Sequence, residues 1–549
     1  MKKSVRVALA IAVGTLLTAV FYYVSLPPLN AKSTSFWTFV LLVVLFYSVP
    51  IALALKKGIV VQEKGSQKKV TFSKGLWVLA AIPVAVMLIG SAISSTFFNA
   101  KAYASIISVT EAEFSKDMPE ADSVTNISLM DTASATIIGN RALGALSDVV
   151  SQYQLSPAYT QINYKGTPQK VSNLEYVDFF KWMNNRDSGV PGYVMVDPVQ
   201  NTAEYKKLST PLRYVESGYF GDDLMRKLRF SYPTKIFDTV NFEIDENGNP
   251  FYIVSCMSPK VALFGAMDVS EVIVFNPCDG TSEIYTVEEA PSWIDNVYSG
   301  YLATEKYDWY GTLSGGFWNS VVGNKNCKQT TNDFGYIVIG DDVWYFTGVT
   351  SVASDESNIG FIITNARTGE YRYYPVVGAE EYSAMGAAEG EVQEKGYVAS
   401  FPSLINVSGE ATYIMVLKDE NGLVKLYALV NVENYGIVAT GNTQTEAKKA
   451  YVALLKQAGK IDDTLPELPD ENALTATVTV SKVRLATVDG NTVVYVTAED
   501  GIVYKGLLAS DETLILLDAG MKINVTYTET DHEQIRNLVS WTAYTETIE

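Results

Sequence analysis

Hydrophobic positions follow two regimes along the chain. Up to Asn99 they come in long runs, and beyond it they alternate with polar residues in short stretches punctuated by Gly, Asn and Asp. Residues 7–26, 36–55 and 76–97 are each about 20 mostly apolar, uncharged residues, the length that crosses ~30 Å of hydrocarbon as helix. Pro27-Pro28 follow the first run without a small-residue cleavage site, so it reads as a span rather than a signal peptide. Tyr22, Trp37 and Trp77 lie near the ends of these runs, where amphipathic rings settle at a membrane interface.

Charge orients the anchor. Lys2, Lys3 and Arg6 precede the first run, and Lys56, Lys57, Lys64, Lys68, Lys69 and Lys74 fill the loop between the second and third, whereas the first loop holds only Lys32. Basic loops stay cytoplasmic, so three passes place the N-terminus inside and everything after Phe98 outside a cell membrane. The first hundred residues carry a net +9, so the total of −19 leaves −28 for the rest. An outer part so acidic repels phosphate backbones, and no nucleic-acid partner is expected.

Between 101 and 220 the pattern is mixed, with helices expected at 140–153 and 174–183, a turn at Pro191-Gly192 and a strand at 193–196. A unit of helix followed by antiparallel hairpins then recurs. The copy at 221–288 has a helix at 222–230 with Asp222 as N-cap, then strands at 239–244, 250–255, 271–276 and 283–286, turning at Asn247-Gly248 and Asp279-Gly280. A more divergent copy at 289–376 has strands at 343–350, 359–365 and 370–374. The copy at 377–459 has a helix at 380–389, strands at 397–405, 412–417, 424–430 and 436–439, and a closing helix at 443–459.

This order, with FEIDENGNPFYIVS, VIVFNPCDGTSEIY and GFIITNARTGEYRYY, resembles the PepSY domain, an extracytoplasmic α+β module. The stretch 131–441, with DTASATIIGNRALGALSDVVSQYQ, GVTSVASDESNIGF and YGIVATGNTQTEA, resembles a family of uncharacterised membrane-anchored proteins of Gram-positive bacteria, their plasmids and phages. The PepSY resemblance implies binding or restraint of peptidases; the second brings no activity. After an acidic, Pro-containing linker at 460–473, strands at 475–485, 492–497, 502–508, 513–517 and 522–527 suggest a small barrel at 474–549 similar to an OB fold. The fold class is therefore α+β: three N-terminal transmembrane helices (1–100), an α+β outer domain (101–220), PepSY-like repeated helix-plus-antiparallel-sheet units, and a C-terminal OB-like β-barrel.

Catalytic material is sparse. With His532 alone, histidine triads and His-rich zinc sites lose their components, and Cys256, Cys278 and Cys327 show no CxxC spacing. A bridge between Cys256 and Cys278 and three free thiols both remain open. Glu243, Asp245, Asn247 and Gly248 imitate the opening of a calcium loop, but Val254 stands where a bidentate Glu is needed, so a hairpin turn is the reading. Asp341-Asp342 and Asp355-Glu356 offer carboxylates for acid–base chemistry or solvated turns. Tyr307, Trp309, Tyr310, Phe317 and Trp318 form the densest aromatic cluster outside the anchor, read either as core or as a ligand-binding platform for sugar or peptide. No metal, cofactor or catalytic residue is expected. The sequence reads as a membrane-anchored extracytoplasmic binding or scaffold protein of the cell envelope, not an enzyme, facing another protein or a wall polymer. The alternatives are a carboxylate enzyme on wall glycan or peptide, and a regulator of a membrane peptidase or of a secretion or conjugation assembly.

Overall fold

The computed structural model describes residues 3–55, 59–64, 67–72, 74–121, 129–331, 333–352, 354–461, 474–488, 491–508, 512–530, 532 and 534–544. Lys56, Lys57 and residues 462–473 of the expected linker lie outside the described residues, as do the side chains of Lys64, Lys68, Lys69, Lys74, Trp77, Asp355 and Glu356. The chain forms two compact units, Met1–Lys460 and Ile461–Glu549.

Two helices, Lys3–Ser25 and Thr34–Leu55, are apolar and long enough to cross a membrane. A third apolar helix, Val78–Ser94, meets Thr96–Ala104 at a 50° bend, and the two qualify only as a bent pair. Asn99 Nδ2 stabilises that bend by donating to the Ser95 carbonyl at 3.0 Å. Between the second and third helices the basic stretch folds back as an antiparallel hairpin, Ile59–Lys64 against Gln67–Phe72, which the sequence reading treated as loop.

A helix followed by an antiparallel meander occurs four times in the rest of the larger unit. The first repeat has the helix Thr132–Gly144 and strands Tyr153–Leu155, Thr160–Tyr164, Thr167–Tyr176, Val190–Asp197 and Thr202–Leu212. The third has Gly300–Leu313, then Lys328–Thr330, Gly335–Ile339, Asp342–Ser351, Ser354–Asn365 and Tyr371–Tyr374. The fourth has Glu381–Glu391, then Val398–Ala399, Ser403–Val407, Glu410–Lys418, Val424–Asn431 and Val438–Gly441, with Gln444–Gln457 as closing helix. In all three the long third strand pairs with both short early strands on one edge and with the fourth strand on the other. The second repeat, Leu224–Ser231 followed by Ile236–Ile244, Pro250–Val261, Gly265–Phe275 and Ser282–Thr286, is a plain meander. The segment 289–376 therefore shares its topology with two other repeats, and 221–288 is the simplified one.

The repeats bury their sheets in pairs. One core joins the first and second through Leu174, Val194, Leu228, Ile273 and Phe275, and another joins the third and fourth through Phe346, Phe361, Tyr413, Met415 and Val430. Each such fully buried apolar side chain contributes about 1.5–3 kcal/mol relative to exposure. Glu410–Lys418 is buried along nearly its whole length, so ATYIMVL reads as a continuous apolar run rather than an alternation.

Several expectations need correction. The helix expected at 174–183 is the end of strand Thr167–Tyr176 followed by the helix Phe179–Asn185, where the Asp178 carboxylate caps Phe180 N and Lys181 N. The helix expected at 140–153 starts earlier, at Thr132, because Asp131 caps it; a short turn, Ser147–Val150, and a strand occupy the remainder. Pro191-Gly192 lies inside the strand Val190–Asp197 at a register shift, where a missing N–H is tolerated. Asp223 rather than Asp222 caps the helix Leu224–Ser231. The strand expected at 397–405 is broken at Pro402 into two. Gly248, at φ 79°, supplies the turn between Ile244 and Pro250 as read.

The smaller unit is a closed five-stranded barrel, in the order Leu474–Val488, Asn491–Ala498, Val503–Leu507, Ile535–Ala543, Lys522–Glu529 and back to the first. Val494, Val496, Tyr504, Ile523 and Val525 fill it. The strand expected at 513–517 is instead a 3₁₀ turn, Glu512–Leu516, that adds Leu514 to that core. The closing strand, Ile535–Ala543, pairs parallel with Val503–Leu507 and was not foreseen.

Candidate functional site

The aromatic cluster does not form one platform. Ser299 Oγ caps the helix Gly300–Leu313 by accepting from Leu302 N at 3.2 Å, and its faces then separate the rings. Tyr307 is buried with Val349, Ile362 and Tyr371, and Tyr310 packs beside it on the outer face of the third sheet. Trp309 and Phe317 turn the other way, onto Ala100, Tyr103, Val261 and Ala266; the Trp309 ring meets Tyr103 edge-on at 5.0 Å. Trp318 points outward, with its ring 6.0 Å from Phe97. Two of the five pack on a sheet, two join the end of the third apolar helix to the repeats, and one is exposed.

That joint has two halves. On one side, Arg229 is 94 % buried and donates through Nε to the Leu26 carbonyl at 2.9 Å and through Nη1 to the carbonyls of Tyr232 and Lys235. Its guanidinium lies 4.3 Å from the centre of the Phe237 ring. Leu29 N donates to the Pro233 carbonyl at 2.7 Å and Asn30 Nδ2 to that of Thr234 at 2.9 Å. Arg226 stacks on Tyr23 at 4.2 Å, and Tyr22 and Tyr23 both meet Phe230. Tyr22 also packs on Phe39, while Trp37 Nε1 donates to the Ala31 carbonyl at 2.8 Å, so two of the three expected interface rings sit at this end of the helices.

On the other side, Ser94 Oγ accepts from Leu263 N at 3.1 Å and Phe264 N at 3.0 Å, and its carbonyl accepts from Tyr103 OH at 2.7 Å. Gly265 is required here: a Cβ would stand 2.5 Å from the Ser94 carbonyl oxygen. Of this joint the sequence brings out the rings Tyr22, Trp37, Trp309 and Phe317 but not their partners, which lie some 170 to 200 positions away.

The acidic candidates are dispersed. Asp342 is held by Arg367, Nε at 2.8 Å and Nη2 at 2.6 Å, and by Asn365 Nδ2 at 2.8 Å. Asp245 closes its hairpin by accepting from Asn247 N and Asn249 N. Glu243 is fully buried and accepts from Asp295 N at 2.9 Å and Asn296 N at 3.0 Å, while Asp295 accepts from Asn163 N at 2.7 Å. Burial pushes both carboxyls up, Glu243 to about 7 against the lowering effect of its N–H donors, and the Glu243 charge raises Asp295 further. Lys306 and Asp268 form a buried ion pair at 2.6 Å. All three cysteines are free, with Cys256 and Cys327 buried. Among the described residues no group of three or more His, Cys, Asp or Glu is placed to hold a metal.

Among the described residues, two open clefts adjoin these elements. One, of about 400 Å³, lies between the turns of the first repeat and the start of the closing helix, lined by Pro168, Asp197, Gln200, Tyr427, Asn442 and Gln444. Thr443 and Glu446 cap that helix reciprocally, with Glu446 N on Thr443 Oγ at 3.1 Å and Asn442 N on Glu446 Oε2 at 3.0 Å. Gln444 lines this cleft, and its Oε1 is buried without a partner among the described residues. The second cleft, of about 530 Å³, adjoins the joint and is lined by Tyr23, Tyr176, Asp178, Glu216, Tyr219 and Arg226. Burial, and then the Asp223 charge, push the Glu216 carboxyl up. A comparison with models of protein families gives no match for the chain, and no curated protein matches it.

Proposed function

We propose that the chain is a three-pass membrane-anchored scaffold of the cell envelope, N-terminus cytoplasmic, that holds four PepSY-like repeats and an OB-like barrel outside to bind another protein or a wall polymer. The observation that carries this reading is the joint: the repeats are hydrogen-bonded to the backbone of the first helical loop and to the end of the third apolar helix. A binding surface fixed in height and orientation over a membrane suits an adaptor, since preorganisation lowers the entropic cost of capture. Lys3 and Arg6 lie in the first turns of Lys3–Ser25, at the opposite end of that helix from the joint at Leu26, which supports the orientation. The cleft at Gln444, with unsatisfied acceptor capacity and polar walls, suits hydroxyl- or amide-bearing ligands such as glycan or peptide.

Photo-crosslinking residues at Gln200 and Asn442 of the full chain in its native membrane test this. The expected result is a discrete adduct with one envelope component, weakened by Gln444→Ala or by deletion of residues 474–549. Absence of adducts at both positions would overturn it.

A second reading, carboxylate chemistry on wall glycan or peptide, is favoured by one observation: Glu216, its carboxyl pushed up, shares an open cleft with Asp178. Retained polymer-degrading activity in Glu216→Gln would exclude that site.

A further inference from the structure

We propose that the outer part is itself seated in the membrane interface, through a collar made of the bent helix Thr96–Ala104 and the turn at residues 317–323. The inference rests on the reading of the apolar helices as membrane spans. After the 50° bend the chain leaves the direction of Val78–Ser94, and Thr96–Ala104 carries Phe97 and Phe98 on its outside. The turn Asn319–Gly323 lies against it, with the Phe97 ring edge-on to Phe317 at 5.0 Å. Phe317 is tucked into the joint, whereas Phe98 (68 % exposed), Trp318 (68 %), Val321 (57 %) and Val322 (75 %) all face out.

Single exposed apolar residues need no explanation, but here they adjoin one another and continue the uncovered apolar surface of the helix above, where Ile89 and Ile93 are also exposed. Charge separates a lipid occupant from a second copy of this acidic chain. In a sequence with 61 Asp and Glu, none occurs between Glu63 and Glu111 or between Asp308 and Asp333, while Lys101 and Lys325 flank the rings on the exposed side. Aromatic and aliphatic side chains beside lysines are the composition of a surface that lies in the headgroup region with its apolar face about 5–10 Å deep. The partner is therefore the headgroup–acyl boundary of the same bilayer.

Spin-label accessibility in the full chain, reconstituted in vesicles of phosphatidylcholine with phosphatidylglycerol and carrying Cys278→Ser, tests the collar. Labels go at Val322→Cys, at Leu16→Cys within a span, and at Tyr435→Cys on the fourth repeat. The expected result is that Val322 loses access to a water-soluble nickel relaxant while oxygen still reaches it, as at Leu16, and that Tyr435 keeps nickel access. A Val322 label as open to nickel as Tyr435, with Leu16 protected, would overturn the collar and leave the anchor standing. Protection of Val322 from both reagents would assign the face to a protein neighbour and overturn it too, and nickel access at Leu16 would instead remove the anchor reading.

Discussion

Arg229 Nε reaches the carbonyl oxygen of Leu26 at 2.9 Å across 203 positions of sequence, on a side chain whose residue is 94 % buried. Without an ion pair among the described residues, this cation is compensated by carbonyl dipoles, those of Leu26, Tyr232 and Lys235, and by the Phe237 ring. Burial lowers its pKa, but an arginine remains charged. Arg229→Ala removes a charged donor from three carbonyls, of which that of Tyr232 keeps only the Lys235 N–H at 3.4 Å, and charged hydrogen bonds of this kind contribute about 1.5–3 kcal/mol each before relaxation. We expect the variant to lose several degrees of thermal stability in detergent, with Arg229→Lys recovering only part, as scanning calorimetry would read. An unchanged transition in Arg229→Ala would remove this contact from the account.

The opposite half of the joint makes a steric prediction. A Cβ on residue 265 would stand 2.5 Å from the Ser94 carbonyl oxygen and 2.9 Å from that of Val261, both backbone atoms that cannot swing aside. Gly265→Ala should therefore part the hairpin tip from the helix end at a cost of about 1–3 kcal/mol. The variant is expected to expose the backbone near Leu263 and Phe264 to hydrogen exchange, whereas Gly221→Ala, in open space, should not.

Glu243 and Asp295 set a pH dependence with a definite sign. Their carboxyls titrate higher in the folded chain than in the unfolded one, so between pH 4.5 and about 7 the unfolded state ionises first and binds fewer protons. Stability from this pair is full at low pH and falls as pH rises through that window. Glu243→Gln should flatten the fall, which denaturant midpoints at pH 5 and pH 8 would show. An equal slope in wild type and variant would contradict the pairing.

In the smaller unit, Ile535–Ala543 closes the barrel between Val503–Leu507 and Lys522–Glu529. Truncation after residue 533 should abolish cooperative unfolding of residues 461–549 while leaving the Met1–Lys460 transition in place. A retained barrel transition would mean that the last strand is dispensable.

Local pattern carried much of this architecture. The apolar runs, the Asn-Gly and Asp-Gly turns and the closing helix behind Thr443 are set within a few residues, and the sequence shows them. What it does not show depends on partners far along the chain. Leu174 and Tyr176 are buried in mid-sheet, so the segment lacks alternation and reads as the start of an amphipathic helix. Ile535–Ala543 has mostly half-buried positions with no clean period, and parallel pairing gives no local turn signal. The aromatic cluster was visible as composition, but only the helix Gly300–Leu313 decides that Tyr307 faces a sheet and Trp309 the joint.

The central claim is that the outer repeats and the apolar helices form one rigid body. Its most direct test is the distance distribution between spin labels at Lys32→Cys and Glu288→Cys, in the full chain carrying Cys278→Ser and reconstituted in lipid, by pulsed electron resonance. The account predicts one narrow peak, broadened by Arg229→Ala combined with Gly265→Ala. A broad distribution in the otherwise unaltered protein would mean that the repeats are tethered rather than docked, and would contradict it.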